Sequence, residues 1–515
     1  MDEIFYVSHG ASQIDRLLQG DFTGYRKVVD ELPDHPPLGK LWLGIWNEIG
    51  LLTDPPRAEH THLVVAWARL GAASTFALLV FLSGWLASHW YGIKAGWWCS
   101  LALCAMPRLW GHAHLAVIEM PIALTYVATL FVVAATWNTE QPPNSRTAAL
   151  AGIIFGLALL TKIQAVVLPF PVAIWALFRW KHRAVRPILI WGLTGTLMLF
   201  LGWTWFWGDP LERFPAYLLN RTGRGTIFVT YFGEKFKDSD VPWHYPWVIF
   251  LTTVPILLQI VGFLGLGIVA KRGIRAEARA ALLALGAVFP LILFSLPKVG
   301  VYDGERLFLM TFPLWGLFIG IGGAQVAAWI EQRCGRSRGI VLCGLLIAAQ
   351  FVGHLLMHPC YLSYYNILVG GISGADRLGL QVTYWGEGLT RDLVRRAAEV
   401  VPPGEVLEFG PVLHPTQIRG LLTQSPPLHQ KRIQLVPLEE QLRPGRRYLL
   451  MFPRREYLPD SWSGPPPDAR VIQEVRRQGV VMAGLYERGA VSGEPLIPDK
   501  SAGNGGESPK DSLNR

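Results

Sequence analysis

Residues 63–87 read LVVAWARLGAASTFALLVFLSGWLA, 25 positions with one charge, Arg69. A helix rises 1.5 Å per residue, so this run crosses the roughly 30 Å hydrocarbon core of a bilayer. It is continuous rather than alternating, which points to a helix and excludes a barrel strand of outer-membrane type. Similar runs recur at 92–106, 115–137, 147–161, 163–179, 187–207, 246–270, 278–297, 307–330 and 339–357. Ten spans are therefore expected, several short enough to be re-entrant, with 92–106 the weakest. The fold class that follows is an all-α polytopic membrane protein. Composition agrees: of 515 residues, 51% are hydrophobic and 17% charged, against about 25% charged in soluble domains. That excludes a soluble enzyme and a disordered chain.

The net charge of +9 does not call for a nucleic-acid partner, because the cations sit in short loops between apolar runs. Three such loops hold Arg179, Lys181, Arg183 and Arg186; Lys271, Arg272, Arg275 and Arg279; and Arg333, Arg336 and Arg338. Counting spans puts all three on one side, which the positive-inside rule makes cytoplasmic. The other side receives residues 1–62, 107–114, 208–245, 298–306 and everything after 357. The first 62 residues carry ten Asp/Glu against five Lys/Arg and no signal-peptide pattern. The expectation is that a transmembrane helix precedes Met1 in the gene; the alternative is that the first span carries a short N-terminal tail across. Cys99, Cys104, Cys334, Cys343 and Cys360 are scattered, without disulfide or metal spacing.

The expected organisation is an extracytoplasmic loop over 1–62, a transmembrane domain over 63–357, an extracytoplasmic C-terminal region over 358–490 and a disordered tail over 491–515. Residues 386–490 turn polar and are expected to form a small α/β domain, with a helix over Leu389–Val401 and strands over Tyr448–Phe452 and Val480–Tyr486.

An ionised side chain in hydrocarbon costs about 2.5–3.5 kcal/mol on insertion scales, so each one needs a reason. Arg69, Glu119 and Lys162 all fall at the outer level by this topology, and the outer loops add Asp2, Glu3, His35, Lys40, Asp303 and Arg306. Cations there suit an anionic lipid head group, and a neighbouring carboxylate suits general-base work on a hydroxyl. The structural alternative is snorkelling and mutual pairing, which suits Arg69 and Lys162 better than the short Glu119. Asp303 and Arg306 are close enough to pair with each other, and His35-Pro36-Pro37 can be a stiff turn. His60, His62, His112 and His114 form two His-x-His pairs, but nothing completes a ligand set, so a metal site is disfavoured. Trp203, Trp205 and Trp207 fit an interfacial aromatic belt, with sugar stacking the alternative. Arg221, Arg224, Lys235 and Lys237 can meet a lipid phosphate or form a solvated face, and Asn220-Arg221-Thr222 is a glycosylation sequon by pattern.

Several motifs follow one another on the outer side: Asp2-Glu3; His35-Pro36-Pro37-Leu38-Gly39-Lys40; Arg69; Tyr302-Asp303-Gly304-Glu305-Arg306; His358-Pro359; Tyr364-Tyr365-Asn366; Gly370-Gly371; and Tyr384-Trp385-Gly386. In this order the chain resembles, over about residues 1–390, the GT-C glycosyltransferases of the protein O-mannosyltransferase type (glycosyltransferase family 39). The bacterial aminoarabinose transferase acting on lipid A is a more distant likeness. The resemblance implies a sugar taken from a polyprenyl phosphate and passed to an acceptor hydroxyl outside the membrane. It implies Asp2 as general base and Glu3 as its neighbour in the acceptor site. Lys162 and Arg306 become phosphate contacts, Arg69 supports the loop or the phosphate, Glu119, Asp303, His35 and Lys40 join the donor-phosphate or substrate-binding set, and the loop of His35-Pro36-Pro37 holds the acceptor side. No cofactor is required, and a divalent cation is the disfavoured addition. The chain departs from the family in lacking a helix before the acidic pair. It also carries Glu119 in Ile118-Glu119-Met120-Pro121 where relatives often have Asp, and it has no room in 208–245 for the β-trefoil of the eukaryotic enzymes.

The function expected is an inverting glycosyltransferase of the cell (inner) membrane, its site facing outward, moving a mannose-like sugar to a protein, glycan or lipid acceptor. A transporter or flippase of a lipid-linked sugar would instead need charges lining a path through mid-membrane. A non-catalytic scaffold is the remaining alternative.

Overall fold

The computed structural model describes residues 3–53, 63–218, 225–439, 446–458, 462, 464–465 and 469–488. Asp2, His60, His62, Asn220, Arg221, Arg224 and the expected tail over 491–515 lie outside them.

Within the expected outer loop 1–62, the described residues 3–53 form three helices, α1 (Glu3–Leu18), α2 (Phe22–Glu31) and α3 (Pro37–Thr53). Asp21 caps α2 by accepting from the Gly24 N–H at 2.8 Å, and Pro37 opens α3, where its missing N–H costs nothing. Helices α1 and α3 cross at glycines: a Cβ on Gly10 would lie 2.1 Å from the Lys40 carbonyl oxygen, and one on Gly44 would lie 2.3 Å from that of Gly10. Only hydrogen fits there, and the close approach sets where the start of α1 projects.

The bundle follows as α4 (Val65–Tyr91), α5 (Ile93–Cys104), the short α6 (Pro107–Ala113), α7 (Glu119–Thr136), α8 (Ser145–Thr161), α9 (Pro169–Trp180) and α10 (Val185–Gly202). After the surface helix α11 (Pro210–Leu218) and a hairpin of β1 (Phe228–Tyr231) with β2 (Glu234–Lys237), it resumes with α12 (Tyr245–Thr253), α13 (Ile256–Arg272), α14 (Ala278–Leu293), α15 (Thr311–Cys334), α16 (Arg336–Gln350) and α17 (Val352–Met357). The core of the bundle is α15, packed against α4, α5, α13 and α14. Its buried face includes Phe312, Leu314, Trp315, Leu317 and Phe318.

By length and composition, five described helical stretches can cross a membrane, or six if one bent pair counts as a single span, against ten expected segments. The difference lies where apolar runs break. The expected span 246–270 divides at Val254-Pro255, with α12 and α13 bent by 111°, because proline removes a donor and disfavours helix at the residue before it. The run 92–106 yields the 12-residue α5, and 147–161 and 278–297 yield the short α8 and α14, of 17 and 16 residues. The basic segment at Lys181–Ala184 is one 3-10 turn between α9 and α10, so Ile163–Gly202 forms a 40-residue helical stretch. The chain is an integral membrane protein with several apolar helices.

Beyond the bundle come the short α18 (Gly371–Arg377) and then a small sheet domain. It contains α19 (Arg391–Val400), β3 (Val406–Gly410), α20 (Pro415–Thr423), α21 (Pro426–Gln430), β4 (Gln434–Pro437), β5 (Tyr448–Met451), β6 (Ala469–Arg477) and β7 (Val480–Arg488). The sheet order is β4-β3-β5-β7-β6, parallel over the first three strands and antiparallel beyond. The expected helix and two strands are there, each within two residues of its expected bounds. Strands β3, β4 and β6 and the β1–β2 hairpin were not expected.

Candidate active site

Four charge clusters, their carboxylates and cations buried except for Arg69 and Asp34, lie around the place where the first turn of α1 reaches the bundle. In the first, Glu3 accepts from Arg69 through two hydrogen bonds of 2.7 Å and from the Ala116 N–H at 2.8 Å. Burial pushes the Glu3 carboxyl up, but the Arg69 guanidinium outweighs it and holds the group below its ordinary range. A forked guanidinium matches both carboxylate oxygens, so it fixes the start of α1 against α4.

The second cluster centres on Glu119, the first residue of α7, which is fully buried. One oxygen, Oε1, accepts from Lys162 Nζ at 2.9 Å and from Arg306 Nε at 2.6 Å, while Oε2 has no partner among the described residues. Arg306 also donates to Asp303 at 3.1 Å and to the Tyr6 hydroxyl at 3.3 Å, and its guanidinium lies 4.7 Å from the Trp385 ring centre. Asp303 in turn accepts from Arg454 at 2.8 Å, and Arg454 donates to Glu456 at 2.9 Å. The chain of charges thus runs from α8 through the loop before α15 into the sheet domain. Asp303 and Gly304 both adopt positive φ, 57° and 62°. A Cβ on Gly304 would lie 2.8 Å from Arg108 Nη1, so the turn needs glycine there for shape and for space.

The third cluster lies beside that turn. Glu305 accepts from Arg108 at 2.5 Å and the Tyr384 hydroxyl at 3.3 Å, and pairs with His112 Nε2 at 3.1 Å. Burial raises the Glu305 carboxyl, and Arg108 and His112 more than reverse it. His112 is thus a partner of Glu305, and no group of three or more His, Cys, Asp or Glu suited to a metal occurs among the described residues.

The fourth cluster is inside the α1–α3 unit. Lys40 donates to Asp34 at 2.6 Å and to the Leu32 carbonyl at 2.9 Å. His35 lies against Tyr6, ring centres 5.9 Å apart. Burial, with the cations Lys162 and Lys40 adding, drops its pKa to about 3 against the pull of Asp34 and Glu119, so the ring is neutral.

A cavity of about 860 Å³ opens beside the first cluster, between α1, α4 and the sheet domain. Glu3, Arg69, Trp385, Glu387, Arg391 and Arg395 supply its functional side chains. Thr390 caps α19, whose first turn therefore faces this space. Glu387 accepts from the Ser363 hydroxyl at 2.5 Å, and burial lifts its carboxyl above the usual range despite that bond.

Of the residues named from sequence, Glu3 and Arg69 line the cavity. Glu119, Lys162, Arg306 and Asp303 form a connected layer behind Trp385, and His35 and Lys40 lie in the α1–α3 unit away from it. Lys40 is 1% exposed and committed to Asp34, which leaves it closed to an incoming phosphate. Sequence reasoning missed Arg108, Glu387 and Arg454, and quoted Glu305 and Tyr384 without roles. Glu305 had a signal, since it sits between two residues already singled out; Arg454 had none.

Residues 15–208 match the family model described as Dolichyl-phosphate-mannose-protein mannosyltransferase. The matched segment holds His35, Lys40, Arg69, Arg108, Glu119 and Lys162, and the resemblance read from the motifs is shown over it. No curated protein matches the chain. Among solved structures, the chain is similar to ArnT from Cupriavidus metallidurans in the apo state, with 14% identity, TM-score 0.44, and coverage of 89% of this chain and 88% of that one. The same protein bound to undecaprenyl phosphate gives 16% identity, TM-score 0.42 and coverages of 90% and 89%. The Archaeoglobus fulgidus oligosaccharyltransferase tethered to an acceptor peptide gives 10%, 0.41, and coverages of 81% and 60%.

Proposed function

We propose that this protein is an inverting glycosyltransferase that moves a sugar, mannose-like by family, from a polyprenyl phosphate to an acceptor hydroxyl on the extracytoplasmic side of the cell membrane. The observation that carries the reading is the mannosyltransferase family match over residues 15–208. The 860 Å³ cavity, bounded by an acidic first turn on one wall and by arginines on the others, supports it.

In this mechanism the acceptor hydroxyl gives its proton to Asp2, next in sequence to the fixed Glu3. The acceptor oxygen attacks the anomeric carbon as the bond to the phosphate oxygen breaks, and the electron pair leaves with the polyprenyl phosphate. That leaving group is already good, so the site needs a base at one face and cations at the other, with no acid. Of the cations that open on the cavity, Arg391 and Arg395 are assigned to the departing phosphate, while Arg69 is held on Glu3. Lys162 and Arg306 are instead assigned to holding Glu119, Asp303 and Trp385 in place behind the wall. Glu3 positions α1 through Arg69. The acceptor is a hydroxyl on protein, glycan or lipid.

The reaction class is tested by reconstituting the full chain in nanodiscs with a panel of polyprenyl-phosphate sugars and an acceptor extract. Release of free polyprenyl phosphate with one donor, dependent on acceptor, is expected. Movement of intact donor across vesicles without release from any donor would replace the proposal with a transporter.

A further inference from the structure

The end of the bundle far from the cavity carries a second depression, of about 440 Å³. Trp90 and Tyr91 from the last turn of α4, Asn138 just past α7, and Arg272, Glu277 and Arg279 around the α13–α14 turn line it. Arg69 and Tyr91 stand 22 residues apart on one helix, which separates the two sites by roughly 33 Å.

Between 271 and 279 the turn has four cations and one carboxylate, Glu277. That carboxylate is already taken, accepting from Arg272 at 3.1 Å and from the Tyr91 hydroxyl at 3.0 Å. The Arg279 guanidinium lies 5.2 Å from the Trp90 ring centre, and its Nε is shielded from solvent with no acceptor among the described residues. Native proteins rarely leave a shielded N–H unpaired, because the group has lost water and gained nothing. A stacked, planar guanidinium with free donor edges is pre-set for two oxygens of a phosphate. Trp and Tyr at a helix end mark the head-group level of a bilayer. Ile274 of the same turn and Phe178, whose ring centre lies 5.9 Å from the Arg275 guanidinium, stand 58% and 60% exposed, an apolar surface suited to acyl chains beside the cations.

We propose that this depression binds the phosphate of an anionic phospholipid, with Arg279 as the principal contact and Arg272 as the second. The site is independent of the transferase reading.

The test is native mass spectrometry of the purified full chain with phosphatidylglycerol or phosphatidylcholine of matched acyl chains. Wild type is expected to retain phosphatidylglycerol selectively, and Arg279→Gln to weaken that retention about tenfold, the scale of one lost charge-assisted hydrogen bond. Arg272→Gln, at an exposed side chain, is the second variant and is expected to weaken it less. Inorganic phosphate in excess is the third arm. Retention in both variants equal to wild type overturns the proposal. Displacement by inorganic phosphate alone overturns the lipid assignment and makes the occupant a soluble phosphate.

Discussion

Glu119 shows what a single buried carboxylate does here. Two cations, Lys162 and Arg306, converge on one of its oxygens in a place that water does not reach. Removing one partner of a buried ion pair leaves the other charge uncompensated, which costs about 3–5 kcal/mol. Glu119→Gln is therefore expected to destabilise the protein on that scale in thermal unfolding in detergent. Glu119→Asp keeps the charge and should lose less. His35 gives a pH signature. Its folded pKa is about 3 against 6.5 for an ordinary histidine, so between those values the unfolded chain binds the extra proton. Stability from this residue is complete above 6.5 and falls as the pH drops, by about 2 kcal/mol at pH 5. The unfolding midpoint of wild type should thus drop more steeply between pH 7 and 5 than that of His35→Asn; parallel curves would contradict it. These charges were visible in the sequence because each interrupts an apolar run or sits in an outer motif. Apart from Asp303 with Arg306, which charge pairs with which was not, since the partners lie as far apart as 119 and 306. The bond from Lys40 to Asp34, by contrast, joins near neighbours in sequence and is a property of the folded α2–α3 turn.

At the scale of elements, the crossing of α1 and α3 decides where Glu3 sits. Gly44→Ala places a Cβ 2.3 Å from the Gly10 carbonyl oxygen, backbone that cannot swing aside. The helices must separate, at a cost of about 1–3 kcal/mol for overpacking. The expected outcome is a lower unfolding midpoint together with reduced sugar transfer, because Glu3 is drawn off Arg69. The long apolar runs announced the bundle plainly. Their breaks were harder: Pro255 alone turns one expected span into two helices 111° apart. Helix α19 was legible in the sequence, and so was β5, an unbroken apolar run, while β3 and β4, equally short, mix polar residues such as Glu408 and Gln434 into theirs.

Over the whole molecule, the sheet domain is a wall of the cavity and not an appendage. Arg454 joins it to the bundle through Asp303, and also donates to the Tyr384 carbonyl at 3.0 Å. Arg454→Ala removes one cation from the buried Asp303 and Glu456, leaving Asp303 with Arg306 and Glu456 with Thr230 and Gln381, and is expected to lower both the unfolding midpoint and turnover; unchanged turnover would mean the domain does not shape the site. None of this was readable from residues 386–490, where polar composition announced a separate domain but not its docking.

The central claim is that the acidic first turn and the arginine-walled cavity perform sugar transfer. The most direct measurement is release of free polyprenyl phosphate by the full chain in nanodiscs, with the donor it accepts, comparing wild type with Asp2→Asn. Release by wild type that falls by about two to four orders of magnitude in Asp2→Asn, at unchanged donor binding, is predicted, the scale of losing a general base. Equal release by both proteins would contradict the account and place the base elsewhere.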